Sequence, residues 1–102
     1  MIMRITWGKL RPGTWNDYEQ AYKTSVVASG VRIGGLRARW LAQDSEDPDA
    51  GVVISLWDSL VDVRAYEQSD FFQNVIQASV RPFFVGDYHT SHCEVKFAEQ
   101  GL

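Results

Sequence analysis

The stretch Gly51 to Ser69, GVVISLWDSLVDVRAYEQS, changes its period in the middle. Val52-Val53-Ile54-Ser55-Leu56-Trp57 is dense in β-branched and apolar side chains, the composition of a buried strand. After Ser59 the apolar positions fall at Leu60, Val63 and Tyr66, with Val61 on one flank. That is helical spacing. Ser59 with Asp62 three residues on is an aspartate form of the capping box, which marks where the helix starts. A strand therefore runs straight into a capped helix.

Upstream of this unit, Met1 to Leu10 alternates Met3, Ile5 and Trp7 against Arg4 and Thr6, a strand pattern. Arg11-Pro12-Gly13 breaks it. Thr14 is placed to cap a helix whose face carries Trp15, Tyr18, Tyr22 and Val26, and Ser29-Gly30 is placed to stop it. Leu36 to Gln43 alternates again, and the turn cluster DSEDPDAG (Asp44 to Gly51) joins this second strand to the third as a hairpin. Downstream, Ser69-Asp70 reads as a new cap before a stripe of Phe71, Phe72, Val75, Ile76 and Val80, which Pro82 ends. A last strand is expected from Tyr88 to Phe97.

The order is β-α-β-β-α-β with the second helical region split in two. It predicts an α+β, ferredoxin-like fold: a four-stranded antiparallel sheet with helices on one face. In the third strand the aliphatic set Val52, Ile54 and Leu56 is expected to meet the helices. The mixed set Val53, Ser55 and Trp57 is then left on the other face, together with Arg37, Arg39 and Leu41 of the second strand. A second subunit covering that mixed face is the simplest way to bury it, which predicts a homodimer through the sheet.

Length and composition narrow the function classes. A chain of 102 residues has room for one domain, residues 1–102, and 45% hydrophobic with 23% charged residues is a globular composition. No apolar run approaches the roughly 20 residues that span a bilayer, and the first residues lack a secretory layout. The single cysteine, Cys93, cannot close an internal disulfide, which suits a reducing cytoplasm. Net charge is −3 with scattered basic residues, so neither nucleic acid nor a membrane is expected as a partner.

Three motifs carry a resemblance: R-P-G-x-W-x-x-Y (Arg11 to Tyr18), D-P-D-A-G (Asp47 to Gly51) and L-W-D-S (Leu56 to Ser59). With the element order, they make the chain similar, over roughly residues 2 to 97, to the antibiotic biosynthesis monooxygenase-like family of dimeric α+β barrels. The resemblance implies cofactor-independent oxygenases of aromatic polyketides, haem degraders, or small quinol- and aldehyde-handling or signalling proteins. The haem degraders carry an asparagine on strand one, a tryptophan in helix two and a histidine ligand in the next helix. Counted from Trp57, these last two positions hold Tyr66 and Ile76, and strand one has no asparagine. The haem-degrading set is thus missing. Only Trp57 carries over position by position from the oxygenases.

A cofactor-independent oxygenase needs an apolar pocket beside dioxygen and a few polar groups to stabilise an enolate-like anion. The expected site has His89 as proton acceptor and Tyr66 as hydrogen-bond donor to a substrate oxygen. Trp57, Trp40, Tyr22 and Phe72 would line it around a small aromatic, polyketide or quinone-type ligand, with no cofactor and no metal. For any single ring core packing is the default reading, since buried aromatics bury much area. His89, on the face of Cys93, Val95 and Phe97, is expected to look toward the helices. It reads otherwise as a partly exposed strand-end histidine. His92 is expected at the subunit interface with Arg37, Arg39 and Glu94. On a regular strand His89 and His92 point to opposite faces and cannot share one metal ion. The acidic cluster Asp44, Glu46, Asp47 and Asp49 lacks the EF-hand positions and reads as a solvated hairpin. A non-catalytic ligand-binding or stress-associated dimer, and more distantly a haem-binding variant, stand as alternatives.

Overall fold

The computed structural model describes residues 1–27 and 29–101. Strand β1 (Ile2–Lys9) is followed by helix α1 (Trp15–Tyr22), which runs into a π-helical turn, Lys23–Val27. Strands β2 (Leu36–Gln43) and β3 (Ala50–Trp57) form the hairpin, and helix α2 (Leu60–Glu67) follows directly. A second π-helical turn, Phe71–Ile76, leads into α3 (Gln77–Val80) and a 3-10 turn, Arg81–Phe83, before β4 (His89–Glu94). The sheet order is β2-β3-β1-β4, every neighbouring pair antiparallel. The ferredoxin-like α+β arrangement is as expected.

Local chemistry accounts for most of the boundaries. Ser59 Oγ accepts from the Asp62 backbone N–H at 3.2 Å and donates to the Asp62 carboxylate at 2.9 Å, so the α2 cap forms as the sequence implies. Ser69 Oγ accepts from the Phe72 N–H at 3.1 Å and caps the next segment. Thr14 does not cap α1; its hydroxyl donates to the Arg11 carbonyl at 2.7 Å and tightens the preceding turn instead. In the hairpin, the Asp44 carboxylate accepts from the N–H groups of Glu46 and Asp47, and Lys9 pairs with Asp47. Strand β4 stops at Glu94 rather than Phe97. Its one neighbour, β1, begins at Ile2 opposite Glu94, so backbone beyond that point has little to pair with, and Phe97 is exposed.

The largest departure concerns the two faces of the sheet. Cross-strand rows place Arg39, Ser55, Arg4 and His92 together, and beside them Leu41, Val53, Thr6 and Thr90. This is the face that meets the helices. Ser55 and Trp57 are buried, Trp57 to 1% exposure, and Leu41 and Val53 pack on the core. The aliphatic set Val52, Ile54 and Leu56 lies on the opposite, open face, in rows with Met3, Ile5 and Trp7 of β1 and Ala38, Trp40 and Ala42 of β2. The expected facing is therefore inverted. A period of two separates the sets without saying which turns inward, and both sets here are apolar enough to bury.

Glycines help set the phase. A Cβ on Gly51 would lie 2.7 Å from the Trp15 ring and 2.5 Å from the Ala42 carbonyl oxygen, and one on Gly8 would lie 2.2 Å from the Phe84 ring. Both positions let a ring settle directly on the inward face of the sheet, which commits the neighbouring alternate residues to that side. The core above them is Leu10, Trp15, Tyr18, Tyr22, Val26, Phe72, Ile76 and Val80.

Candidate functional site

Between the inward face of the sheet and its helical cover lies a cavity of about 60 Å³. Its floor is Arg4 and Thr6 of β1, Arg39 of β2 and Val53, Ser55 and Trp57 of β3. Its roof comes from α1, α2 and the two π-helical turns: Tyr18, Tyr22, Val26, Tyr66, Phe72 and Ile76. A π turn widens the helix and displaces the side chains that follow, and such turns recur at functional sites. The 4-residue spacing of Tyr22 to Val26 and of Phe72 to Ile76 is what an α-helix also shows, so the sequence pattern does not signal them. Ser25 Oγ donates to the carbonyls of Ala21 and Tyr22, at 2.9 and 3.3 Å, which loosens the α pattern at the first turn.

The polar chemistry of the floor centres on Arg4, which is buried. Its Nε donates to Glu67 Oε2 at 2.7 Å and its Nη1 to Thr6 Oγ1 at 3.2 Å, while the Thr6 and Thr90 hydroxyls lie 2.9 Å apart. His92 Nε2 meets the same Glu67 oxygen at 2.8 Å. Burial works against the Glu67 carboxylate, but the bonds from Arg4 and His92 outweigh it and hold its pKa below the ordinary range. The Arg4 guanidinium carbon lies 5.1 Å from the Phe72 ring centroid and 6.0 Å from that of Tyr66. Trp57, Tyr66 and Phe72 form a chain of tilted rings with 4.9 Å between successive centroids. The Trp57 indole N–H is satisfied by Ser55 Oγ at 2.8 Å, which explains how a serine sits in the buried set.

Four tyrosines line this space, and among the described residues only Tyr88 has a hydroxyl partner, Gln77 Oε1 at 3.0 Å. Burial raises the Tyr18 pKa. It also raises that of Tyr22, against the pull of Arg39 and Arg4. Tyr66 is pushed up to about 12, chiefly by burial. All three are neutral donors at physiological pH.

Four of the six expected site residues meet at this cavity: Tyr66, Trp57, Tyr22 and Phe72. The other two do not. Trp40 is on the open face, 51% exposed, because its row pairs it with Ile54. His89 pairs with Trp7 on that same face and is exposed, its Nε2 3.1 Å from Ser91 Oγ. His92, expected at an interface, is the histidine that turns toward the helices. The inversion of the sheet exchanges the two. Arg39, expected with His92 at the subunit interface, lines the cavity for the same cause, and Arg4 was given no role although its alternation with Met3 and Ile5 was visible. Ile76, at the position of a haem ligand in the resembling haem degraders, is buried in the apolar roof. Among the described residues no group of three His, Cys, Asp or Glu side chains converges, and no helix is long and apolar enough to cross a membrane.

No curated protein matches this chain. Among solved structures it is similar to a candidate antibiotic biosynthesis monooxygenase from Bordetella bronchiseptica, with a TM-score of 0.81 at 20% identity over 94% of this chain and 97% of that one. One from Deinococcus radiodurans aligns with a TM-score of 0.80 at 14% identity, covering 100% and 99%. Another from Nitrosomonas europaea gives 0.80 at 12%, covering 95% and 100%. These likenesses are of fold. The family model for antibiotic biosynthesis monooxygenase matches residues 1–78, which hold β1 through α3 up to Ala78 and most of the cavity lining. The chain belongs to the antibiotic biosynthesis monooxygenase family.

Proposed function

We propose that this chain is a homodimeric, cofactor-independent oxygenase-type protein of the cytoplasm that acts on a small aromatic, polyketide or quinone-type compound in the cavity beneath α2. The observation that carries this is the cavity itself: apolar and aromatic walls around a few convergent hydrogen-bond donors. In the reaction, a substrate methylene carbon becomes a carbonyl, one atom of dioxygen enters that carbonyl and the other leaves as water with the two hydrogens. No other oxidant or reductant is needed. The protein's part is to hold the electron-rich ring in a dry site and stabilise the charge on its oxygen. Tyr66 and Tyr22 supply donors for that oxygen, Trp57 and Phe72 the walls. His89 has no place in this account within one subunit.

Dimerisation rests on the open face of the sheet. Met3, Ile5, Trp7, Trp40, Val52, Ile54 and Leu56 form one apolar surface there, with Trp7 46% exposed. A face of this composition left in water is the mark of an interface, and a symmetric partner presents its own complement.

The test is oxygen uptake with anthrone and quinol substrates. Consumption that is lost in Tyr66→Phe and Trp57→Phe variants of unchanged fold supports the oxygenase. Ligand binding without any uptake leaves the alternative, a binding dimer, which the absence of a carboxylate, histidine or cysteine from the described cavity lining favours.

A further inference from the structure

The charges at the cavity do not balance. Arg4 is matched by Glu67, which His92 also meets from the far side. Arg39 lines the same cavity half-buried, and among the described residues its one side-chain hydrogen bond runs from Nη2 to the Val26 carbonyl at 3.3 Å. Among the described residues no carboxylate lies within ion-pair distance of it. Beside it are phenol hydroxyls without partners among the described residues: Tyr18 at 3% and Tyr22 at 8% exposure, and Tyr66. The polar acceptors that do face the cavity are already engaged: Thr6 with Arg4 and Thr90, Ser55 with Trp57, Gln77 with Tyr88. Among the described residues the lining offers no anionic acceptor to these O–H donors or to Arg39, and it carries one cation in excess. Partly buried groups of this kind are stabilised by an anion that accepts from them.

The lining also lacks any group able to take a proton at neutral pH. It has no carboxylate, histidine or thiol among the described residues, and burial keeps the phenols of Tyr18, Tyr22 and Tyr66 protonated. Such a cavity can hold an anion and cannot make one from a weak acid.

We propose that the cavity takes a compact ligand that is already an oxyanion at neutral pH, a carboxylate or an acidic phenol on a single unsaturated ring, seated on Arg39 and the unpartnered hydroxyls of Tyr22 and Tyr66. This narrows the reading given under the proposed function, since it rests on the same cavity, and it sets aside neutral fused-ring compounds. Size sets the same limit. A void of roughly 150 Å³ is what accommodates a benzene ring, and the present one is smaller, large enough for the charged head alone. The ring finds its space at Tyr66, which is also a wall of an adjoining outer pocket of about 260 Å³ lined by Val31, Arg32, Ile33, Asp62, Ser69 and Phe71. Tyr66 is the one side chain common to both linings, its ring held between Trp57 and Phe72.

The probe is 4-nitrophenol, whose ionised form absorbs in the visible and which dioxygen does not oxidise. Its pH titration is followed with and without excess protein. The expected result is a displacement of its ionisation to lower pH, the phenolate binding at least about tenfold tighter than the neutral phenol, which is one pH unit. Arg39→Gln should abolish most of that displacement while circular dichroism and the melting temperature stay near wild type, because Arg39 holds no carboxylate. Benzoate, ionised throughout the range, controls for titration of Glu67 and His92 behind Arg4. Its displacement of the probe where benzamide fails marks a carboxylate as an accepted head, and its failure to displace while the phenolate still binds marks the phenol class alone. An ionisation displaced to higher pH, an Arg39→Gln protein with the wild-type displacement, or no binding of either form overturns the proposal. Oxygen uptake from a neutral fused-ring substrate without anion preference would overturn it and leave the oxygenase standing. Phenolate binding with no uptake from any quinol does the reverse.

Discussion

Trp40→Ala separates the two faces of the sheet. Trp40 is 51% exposed on the open face, and a tryptophan presents about 200 Å² for burial. About 100 Å² per subunit is therefore left for a partner to cover, worth about 2.5 kcal/mol at roughly 25 cal/mol per Å². A symmetric dimer counts the residue twice, for about 5 kcal/mol before the interface relaxes around the alanine. The dimer dissociation constant should rise by about two to four decades, taking half that energy as the floor. Sedimentation equilibrium over a concentration series measures it, with thermal unfolding of the variant as a control. The fold should survive, since Trp40 lies outside the buried core. Trp57→Ala gives the opposite outcome: loss of about 3–5 kcal/mol of folding stability, as for a large ring removed from a packed interior. An unchanged association constant in Trp40→Ala refutes the interface. Collapse of the fold in Trp40→Ala, with Trp57→Ala tolerated, would refute the facing of the whole sheet.

Other predictions follow from particular contacts. Glu67→Gln leaves Arg4 buried without its counter-charge and should cost roughly 2–4 kcal/mol in chemical denaturation, near the lower end for a broken buried pair because Glu67 is partly solvated. Because the folded Glu67 pKa is depressed, its contribution is fully present above the ordinary glutamate value of 4.5 and is lost as pH falls through the lower folded value. Wild type should therefore lose stability on acidification below pH 4.5 more steeply than Glu67→Gln, which differential scanning calorimetry across that window can read. Gly51→Ala drives a methyl group against the Ala42 carbonyl and the Trp15 ring and should destabilise by about 1–3 kcal/mol, measured by urea unfolding. Ser59→Ala removes the α2 cap and should cost about 1 kcal/mol in the same assay.

The element order, the hairpin, the caps at Ser59 and Ser69 and the helical face from Trp15 to Val26 were all legible in the residues. Each depends on neighbours a few positions apart, where propensity and hydrogen-bond chemistry act locally. Thr14 shows the limit of that locality: its hydroxyl had two backbone groups in reach, and the turn before it took it. The candidate site was half legible. Tyr22, Tyr66 and Phe72 were found because helix periodicity points their rings at the sheet, and Trp57 because a resemblance carried it. His89, Trp40 and Arg39 were misplaced through one inverted choice of face, which also hid Arg4; Glu67, on α2, shows its part only once Arg4 and His92 turn toward it.

By itself the sequence determined which residues of each strand share a face, because alternation is a property of the extended backbone. Which face turns inward was decided only in three dimensions. The Arg4 guanidinium needed Glu67 from α2, the Trp57 indole needed Ser55, and the rings of Trp15 and Phe84 needed the bare backbone at Gly51 and Gly8. Three of those four contacts join residues more than 35 positions apart, and the fourth forms on the strand itself once Trp57 is buried. Their energies outweigh a preference for the purely aliphatic set, whose surface is still free to be buried by a second copy.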